Sequence, residues 1–146
     1  MLNVIKDHWI VGATAIRSPN CGERPAQQRI DLLVIHCISL PPGEYGGSYI
    51  TDLFTNNLNP DDHPYFCGIA DHRVSAHLLI RRDGQLIQYV PFNRRAWHAG
   101  DSCFQGERDC NDFSIGIELE GVDNGSFESV QYQQLAAVTQ ALIKNY

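Results

Sequence analysis

The chain has 146 residues, a net charge of −6 and 43% hydrophobic residues, a composition typical of a folded domain rather than a disordered one. The acidic balance disfavours nucleic-acid binding, and no segment approaches the roughly 20 apolar residues that a membrane-spanning helix needs. Five cysteines without C-x-x-C spacing, together with an N terminus that lacks a basic secretory signal, favour free thiols in the cytoplasm. We therefore expect one domain over residues 1–146.

The first strong signal along the chain is Ile30–Ile35, a nearly continuous apolar run rich in β-branched residues. Such a run is typical of a central strand that is buried on both faces. The run ends at His36, shortly before a loop that contains Pro41-Pro42-Gly43. Apolar residues at helical spacing then predict a helix over 47–54, with Ser48 as a candidate N-cap.

Two further strands are predicted at Ala76–Ile80 and Gln85–Val90. They are separated by Arg81-Arg82-Asp83-Gly84, and Asp-Gly between two apolar runs is a strong hairpin signal. A polar loop follows from Trp97 to about Asn111.

The last third of the chain combines a period-2 segment with a period-3.6 segment. Residues 113–120 alternate between apolar and polar types, which predicts a strand. From about Glu128 we expect a helix with a Glu128/Gln131 capping box and the buried stripe Tyr132, Leu135, Val138, Thr139 and Leu142. Strands interleaved with helices predict an α/β or α+β fold around one mixed sheet flanked by helices.

His36 is the first residue suited to chemistry, because polar side chains at strand ends border the crevices where α/β sheets place their sites. It suits a metal ligand or a general base, and the alternative is a histidine satisfied by a local backbone hydrogen bond. Glu118, flanked by Gly116 and Gly121, suits a general base of raised pKa beside a ligand. Its alternative is a carboxylate on a face of the strand that meets water.

Trp97 and His98 form the third candidate group. The indole offers a face for sugar or peptide contact beside a titratable ring, and the alternative is a half-buried tryptophan that closes the core. His72 and His77 lack the i, i+4 spacing of a helical zinc site. The residues alone thus point to a crevice that holds His36, Glu118 and the Trp97–His98 pair.

Taken together, six segments from Ile30 onward resemble the zinc-dependent N-acetylmuramoyl-L-alanine amidases of the type-2 amidase family. The matching blocks, in chain order, are LLVIHCISLPPGEYGG, HPYFCGIA, RVSAHLLIRRDG, QYVPFNRRAWHAG, CNDFSIGIELEG and YQQLAAVTQALI. The resemblance extends over residues 30–146, about four-fifths of the chain, which is far more specific than any single motif.

The resemblance implies an amidase/peptidoglycan-recognition-like fold, with helices packed on a mixed sheet and a Zn²⁺ ion at one edge of a groove. It implies His36 as the first zinc ligand and Glu118 as the proton acceptor, with Arg73 and Trp97, beside His98, near the muropeptide groove. The implied reaction is hydrolysis of the amide between (1,6-anhydro)-N-acetylmuramic acid and L-alanine. That reaction serves cell-wall recycling and β-lactamase induction, and we expect a monomeric cytoplasmic enzyme.

The family completes its zinc site with a second His and an Asp, which the resemblance places beyond Tyr146, together with a Lys that stabilises the transition state. Since a catalytic zinc needs about three protein ligands, we expect the sequence to be truncated at its C terminus and inactive in this form. The alternative function is a non-catalytic muropeptide-binding module of the same fold.

Overall fold

The computed structural model describes residues 5–146, and its largest element is a five-stranded mixed sheet. The strands are β1 (Ile5–Lys6), β2 (Trp9–Ile10), β3 (Thr14–Ala15), β4 (Cys21–Gly22), β5 (Leu32–Ile38), β6 (Leu78–Ile80), β7 (Leu86–Gln88), β8 (Arg95–Ala96), β9 (Cys103–Phe104), β10 (Glu107–Arg108) and β11 (Ser114–Glu120). The helices are α1 (Tyr49–Phe54) and α2 (Ser129–Asn145), and short 3₁₀ helices lie at Pro60–Asp62, Pro64–Gly68 and Cys110–Asp112.

The sheet has the order β3-β7-β6-β11-β5. β11 pairs in parallel with both β5 and β6, whereas β6 and β7 form an antiparallel hairpin. The Asp-Gly signal at this hairpin is confirmed, since the Gly84 N–H donates to the Arg81 carbonyl at 2.9 Å. Gly84 has a φ of +86°, which a residue with a Cβ rarely adopts. The mixed α+β architecture predicted from the sequence is therefore confirmed.

β5 differs from its prediction in position and length. It is an edge strand of the sheet rather than a central one, and it continues through His36 to Ile38. Its side chains are only partly buried, and Ile35 is 43% exposed. A continuous apolar run indicates that both faces of a strand contact other side chains. It does not indicate whether the strand pairs with one neighbouring strand or with two.

Two apolar clusters cover the two faces of the sheet. The α2 side holds the apolar half of β11 with residues of the helix, namely Ile115, Ile117, Leu119, Val138 and Leu142. The α1 side holds Leu53 and Phe54 with Leu79, Ile87 and Tyr89 of the hairpin. The alternation predicted for 113–120 is confirmed, and it positions the polar half of β11 on the α1 side.

Helix α2 begins with the predicted capping box, in which Glu128 and Gln131 exchange side-chain and backbone hydrogen bonds. Its predicted stripe is wrong at Tyr132, which is 54% exposed, whereas Gln131 is fully buried. The Gln131 amide tolerates burial because it donates to the carbonyls of Ile80 and Glu120 at 3.1 and 3.0 Å. The predicted loop 97–111 also contains structure, the small hairpin of β9 and β10.

Among the described residues, no helix combines the length and the apolar character that crossing a membrane would require.

Candidate active site

His36 and Glu118 are neighbours across the parallel pairing of β5 and β11. The register matches Glu118 with His36, and Gly116 with Val34. Side chains of residues paired in this way project from the same face of a sheet. The two leading candidates from the sequence are thus brought together, on the α1 side of the sheet.

Glu118 occupies an apolar setting that favours its neutral form. Its Oε2 atom is buried and has no hydrogen-bond partner among the described residues. Burial raises the pKa of this carboxyl from 4.5 to about 7. A carboxyl group of that pKa is partly ionised at neutral pH, so it can both accept and return a proton there.

A cavity of about 330 Å³ opens beside Glu118. Arg73, Trp97 and His98 line it, together with Gly100 and Asn111. Arg73 is exposed and Trp97 is partly buried, so the cavity offers a cation and an aromatic face next to the carboxyl. The three residues expected near a ligand therefore share one cavity with the proposed base.

His98 lies between His36 and the buried Ser114. Its Nδ1 atom is 2.9 Å from Nε2 of His36, and its Nε2 atom is 3.0 Å from the Ser114 hydroxyl. Burial lowers the pKa of His98 to about 3, with further lowering by His36 and Arg24. The ring is therefore neutral at physiological pH, and its polar atoms are already engaged by protein groups.

His36 lines a second cavity, of about 460 Å³, which His98 also borders. Burial lowers the pKa of His36, so this imidazole is available in its neutral form. Its Nε2 atom bonds His98, whereas Nδ1 makes no hydrogen bond to residues 5–146. One ring nitrogen is thus free to bind a metal ion.

The described residues do not complete a metal centre by themselves. Residues 5–146 contain no group of three His, Cys, Asp or Glu side chains that could hold a metal ion. His77 is not a candidate, because its Nδ1 accepts from the Gly116 N–H and its Nε2 lies 2.9 Å from the Arg94 carbonyl. His36 can therefore supply one ligand of a zinc ion, while this part of the chain lacks the others.

The two glycines beside Glu118 do not leave room for a ligand, contrary to the interpretation from the sequence. A Cβ at Gly116 would collide with the ring of His98, and a Cβ at Gly121 would collide with Phe127. The space beside these glycines is filled by protein side chains. The cavity next to Glu118 is lined instead by the segments around Arg73 and Trp97.

The face of β11 that carries Glu118 does not meet water at Glu120 either. Glu120 is 2% exposed and accepts hydrogen bonds from the Gly46 N–H and the Arg81 guanidinium at 2.7 and 3.3 Å. The Arg82 N–H donates to its second oxygen at 3.2 Å. Glu120 thus joins the hairpin to the loop before α1, and its role is structural.

Sequence reasoning missed Asn111 and Arg24, which hold the backbone around the site through hydrogen bonds. Asn111 Oδ1 accepts from the backbone N–H groups of His98 and Ala99 at 3.0 and 2.9 Å. Arg24 donates to the carbonyls of Asn111 and Ser114 at 3.1 and 2.8 Å, and also to those of Phe92 and Asp112. Neither residue belongs to a periodic pattern, so no local signal marks it.

Comparisons with known proteins identify the family of the chain. The N-acetylmuramoyl-L-alanine amidase family matches residues 26–146. A relative from Citrobacter freundii, the 1,6-anhydro-N-acetylmuramyl-L-alanine amidase AmpD, is 57% identical over 98% of this chain and 76% of its own length. A crystal structure of a selenomethionine derivative of AmpD superposes with a TM-score of 0.96 at 57% identity, covering 98% of this chain and 80% of the other.

A more distant structure is that of AmiD, an N-acetylmuramyl-L-alanine amidase from Escherichia coli, in complex with anhydro-N-acetylmuramic acid-L-Ala-D-γ-Glu-L-Lys. It has a TM-score of 0.51 at 27% identity and covers 99% of this chain and 52% of the other. The family match and the 57% identity to a relative that is three-quarters covered settle the assignment. The chain belongs to the N-acetylmuramoyl-L-alanine amidase family.

Proposed function

We propose that this chain provides the base and one metal ligand for hydrolysis of the amide between (1,6-anhydro)-N-acetylmuramic acid and L-alanine of a muropeptide. The observation that supports the proposal most directly is Glu118, a carboxyl group whose pKa burial raises to about 7 beside a cavity of about 330 Å³. The name of the Citrobacter freundii relative supplies the anhydromuropeptide as substrate class.

In this proposal Glu118 acts twice on one proton. As a carboxylate it takes a proton from the water that attacks the lactyl carbonyl, which forms the new C–O bond. It then gives the proton to the alanine nitrogen as the C–N bond breaks, so the products are a carboxylic acid and a free amine. No covalent bond to the protein is needed.

We further propose His36 as one ligand of a zinc ion, through its free Nδ1 atom. When bound, zinc polarises the scissile carbonyl and acidifies water. The family resemblance places the second His and the Asp after the last helix, so we expect the 146-residue chain alone to lack stoichiometric zinc and turnover. Arg73 and Trp97 would hold the substrate, the cation meeting a carboxylate of the peptide and the indole meeting the sugar.

We also propose that residues 1–146 belong to one domain, truncated at its C terminus, and that the enzyme is a cytoplasmic monomer. The odd number of cysteines without C-x-x-C spacing supports a reducing compartment. Cleavage of anhydromuropeptides there would serve cell-wall recycling and, through the level of these fragments, β-lactamase induction.

The test compares two proteins, the 146-residue chain and a version continued past Tyr146 with the residues that follow the last helix in the Citrobacter freundii relative. Each is incubated with zinc and an anhydromuramoyl tripeptide, and release of the tripeptide is measured by liquid chromatography and mass spectrometry. We expect turnover only in the longer version. There Glu118→Gln should lower kcat by roughly 10²–10⁴-fold, whereas Glu44→Gln, at an exposed position in a loop, should not.

Equal losses in the two variants would contradict the role of Glu118. Turnover by the 146-residue chain would show that zinc ligands come from within it.

Binding without hydrolysis is the second candidate function, because no group of three metal ligands exists within residues 5–146. Calorimetry of the 146-residue chain with the tripeptide substrate would detect it. Binding by this chain, combined with no turnover by the longer version, would favour that function.

A further inference from the structure

His98 links the site to the interior of the sheet through both nitrogens of its ring. Nδ1 lies 2.9 Å from Nε2 of His36, and Nε2 lies 3.0 Å from the hydroxyl of Ser114. Ser114 is fully buried at the start of β11, whereas His36 borders a cavity. The three side chains therefore form one chain of hydrogen bonds that runs from the cavity to the buried strand.

The ring of His98 is held in this place from several sides. The backbone N–H groups of His98 and Ala99 donate to Oδ1 of the buried Asn111, which fixes the backbone that carries the ring. The ring lies over Gly116, where any Cβ would collide with it. The ring of His77 meets it edge-on, with centroids 5.9 Å apart. Since movement is blocked on these sides, the contact with His36 is a fixed feature of the fold.

A neutral imidazole has one N–H donor and one acceptor nitrogen, so this chain has two possible proton arrangements. In the first, His36 donates from Nε2 to Nδ1 of His98, and His98 donates from Nε2 to Ser114. In the second, every donor is reversed, and His36 carries its proton on Nδ1. Only the first arrangement leaves His36 with a free lone pair, on Nδ1. In the second, Nδ1 carries the proton and the lone pair of Nε2 accepts the hydrogen bond from His98.

We propose that His98 is a positioning residue that accepts the Nε2 proton of His36, so that Nδ1 of His36 is presented as a bare lone pair. This inference rests on the metal-ligand role proposed above for His36. Metal-binding histidines commonly donate their second N–H to a carboxylate or carbonyl, which fixes the tautomer. Here a second imidazole, backed by Ser114, takes the place of that acceptor.

The experiment reads the tautomers directly in the metal-free 146-residue chain. Histidine labelled with ¹⁵N gives long-range ¹H–¹⁵N spectra that distinguish protonated from unprotonated ring nitrogens. We expect single tautomers for His36 and His98, each protonated at Nε2. The exposed His72 should show the averaged pattern of a free imidazole and serves as the internal reference. A proton on Nδ1 of His36 would overturn the proposal without any variant.

Two variants separate positioning from mere packing. His98→Asn keeps an oxygen acceptor close to the place of Nδ1, so His36 should keep its single tautomer. His98→Ala removes the acceptor, so the signals of His36 should move to the averaged pattern of His72. An unchanged His36 in the alanine variant would refute the proposal, as would a loss of the single tautomer in the asparagine variant.

If the alanine variant does not fold, the parent and asparagine spectra still decide the question. Because the spectra need no turnover, failure of the hydrolysis assay would leave this result unaffected.

Discussion

Replacing Glu118 with glutamine should change the pH dependence of stability as well as catalysis. The carboxyl has a pKa of about 7 in the folded chain, against a reference value of 4.5. An unfolded chain therefore releases this proton from about pH 4.5 upward, whereas the folded chain keeps it until about pH 7. Wild-type stability falls over that interval because the unfolded state gains the charged form first. Glutamine cannot ionise, so the variant lacks this loss.

The magnitude follows from the two pKa values. Linkage between protonation and folding lowers the wild-type free energy of unfolding by about 1 kcal/mol at pH 5 and by about 3 kcal/mol at pH 8. The free energy of unfolding of the variant, relative to the wild type, should therefore rise by about 2 kcal/mol between pH 5 and pH 8. For a chain of this length that corresponds to about 4–8 °C in the difference of Tm. Histidines such as His77 and His98, whose pKa values are lowered to about 3, titrate in both proteins and cancel in the comparison.

The assay is differential scanning calorimetry of wild type, Glu118→Gln and the exposed control Glu44→Gln at pH 5 and pH 8. The Tm difference between Glu118→Gln and wild type should rise with pH, while that of the control should stay constant. A difference that is equal at both pH values would refute a buried carboxyl of raised pKa at this position.

Four further outcomes are expected. Gly84→Ala should lower the free energy of unfolding in urea by about 1–3 kcal/mol, because the positive φ disfavours alanine and a Cβ would collide with Val130. Unchanged stability would contradict the hairpin geometry. Arg24→Lys should also lower the free energy of unfolding by about 1–3 kcal/mol, since an ammonium cannot donate to the four carbonyls that the guanidinium binds. An unchanged urea midpoint would exclude that role. Glu120→Gln should cost about 3 kcal/mol by leaving Arg81 without its buried partner, and a neutral effect would show that the ion pair is dispensable. Thiol titration in denaturant without reductant should count five groups, and three or fewer would indicate disulfides.

The sequence predicts β11 well because the apolar or polar character of each residue indicates which face of the strand it lies on. The period-2 pattern of 113–120 identifies the strand and places its two carboxylates, Glu118 and Glu120, on the same face. The burial of Glu120 cannot be read from that pattern. It depends on Arg81, which lies 39 positions earlier and arrives through the neighbouring strand.

The position of β5 and the bond between His36 and His98 are likewise invisible in the sequence. An apolar run has the same appearance in an edge strand that is covered on its faces as in a central strand. His98 reaches His36 from 62 positions away because Gly116 leaves space for its ring. Periodicity reports local burial, whereas these contacts depend on which strands are adjacent in the folded sheet.

The parallel pairing of β5 with β11 also bears on how the site forms in time. The paired residues His36 and Glu118 are separated by more than half of the chain. Parallel strands cannot be joined by a short turn. Closing a loop of that length precedes any gain from the pairing, so contacts of this kind form slowly. A refolding chain should therefore acquire helical signal in α2 before the two side chains meet. Any activity that depends on both residues would then mark the last stage of folding.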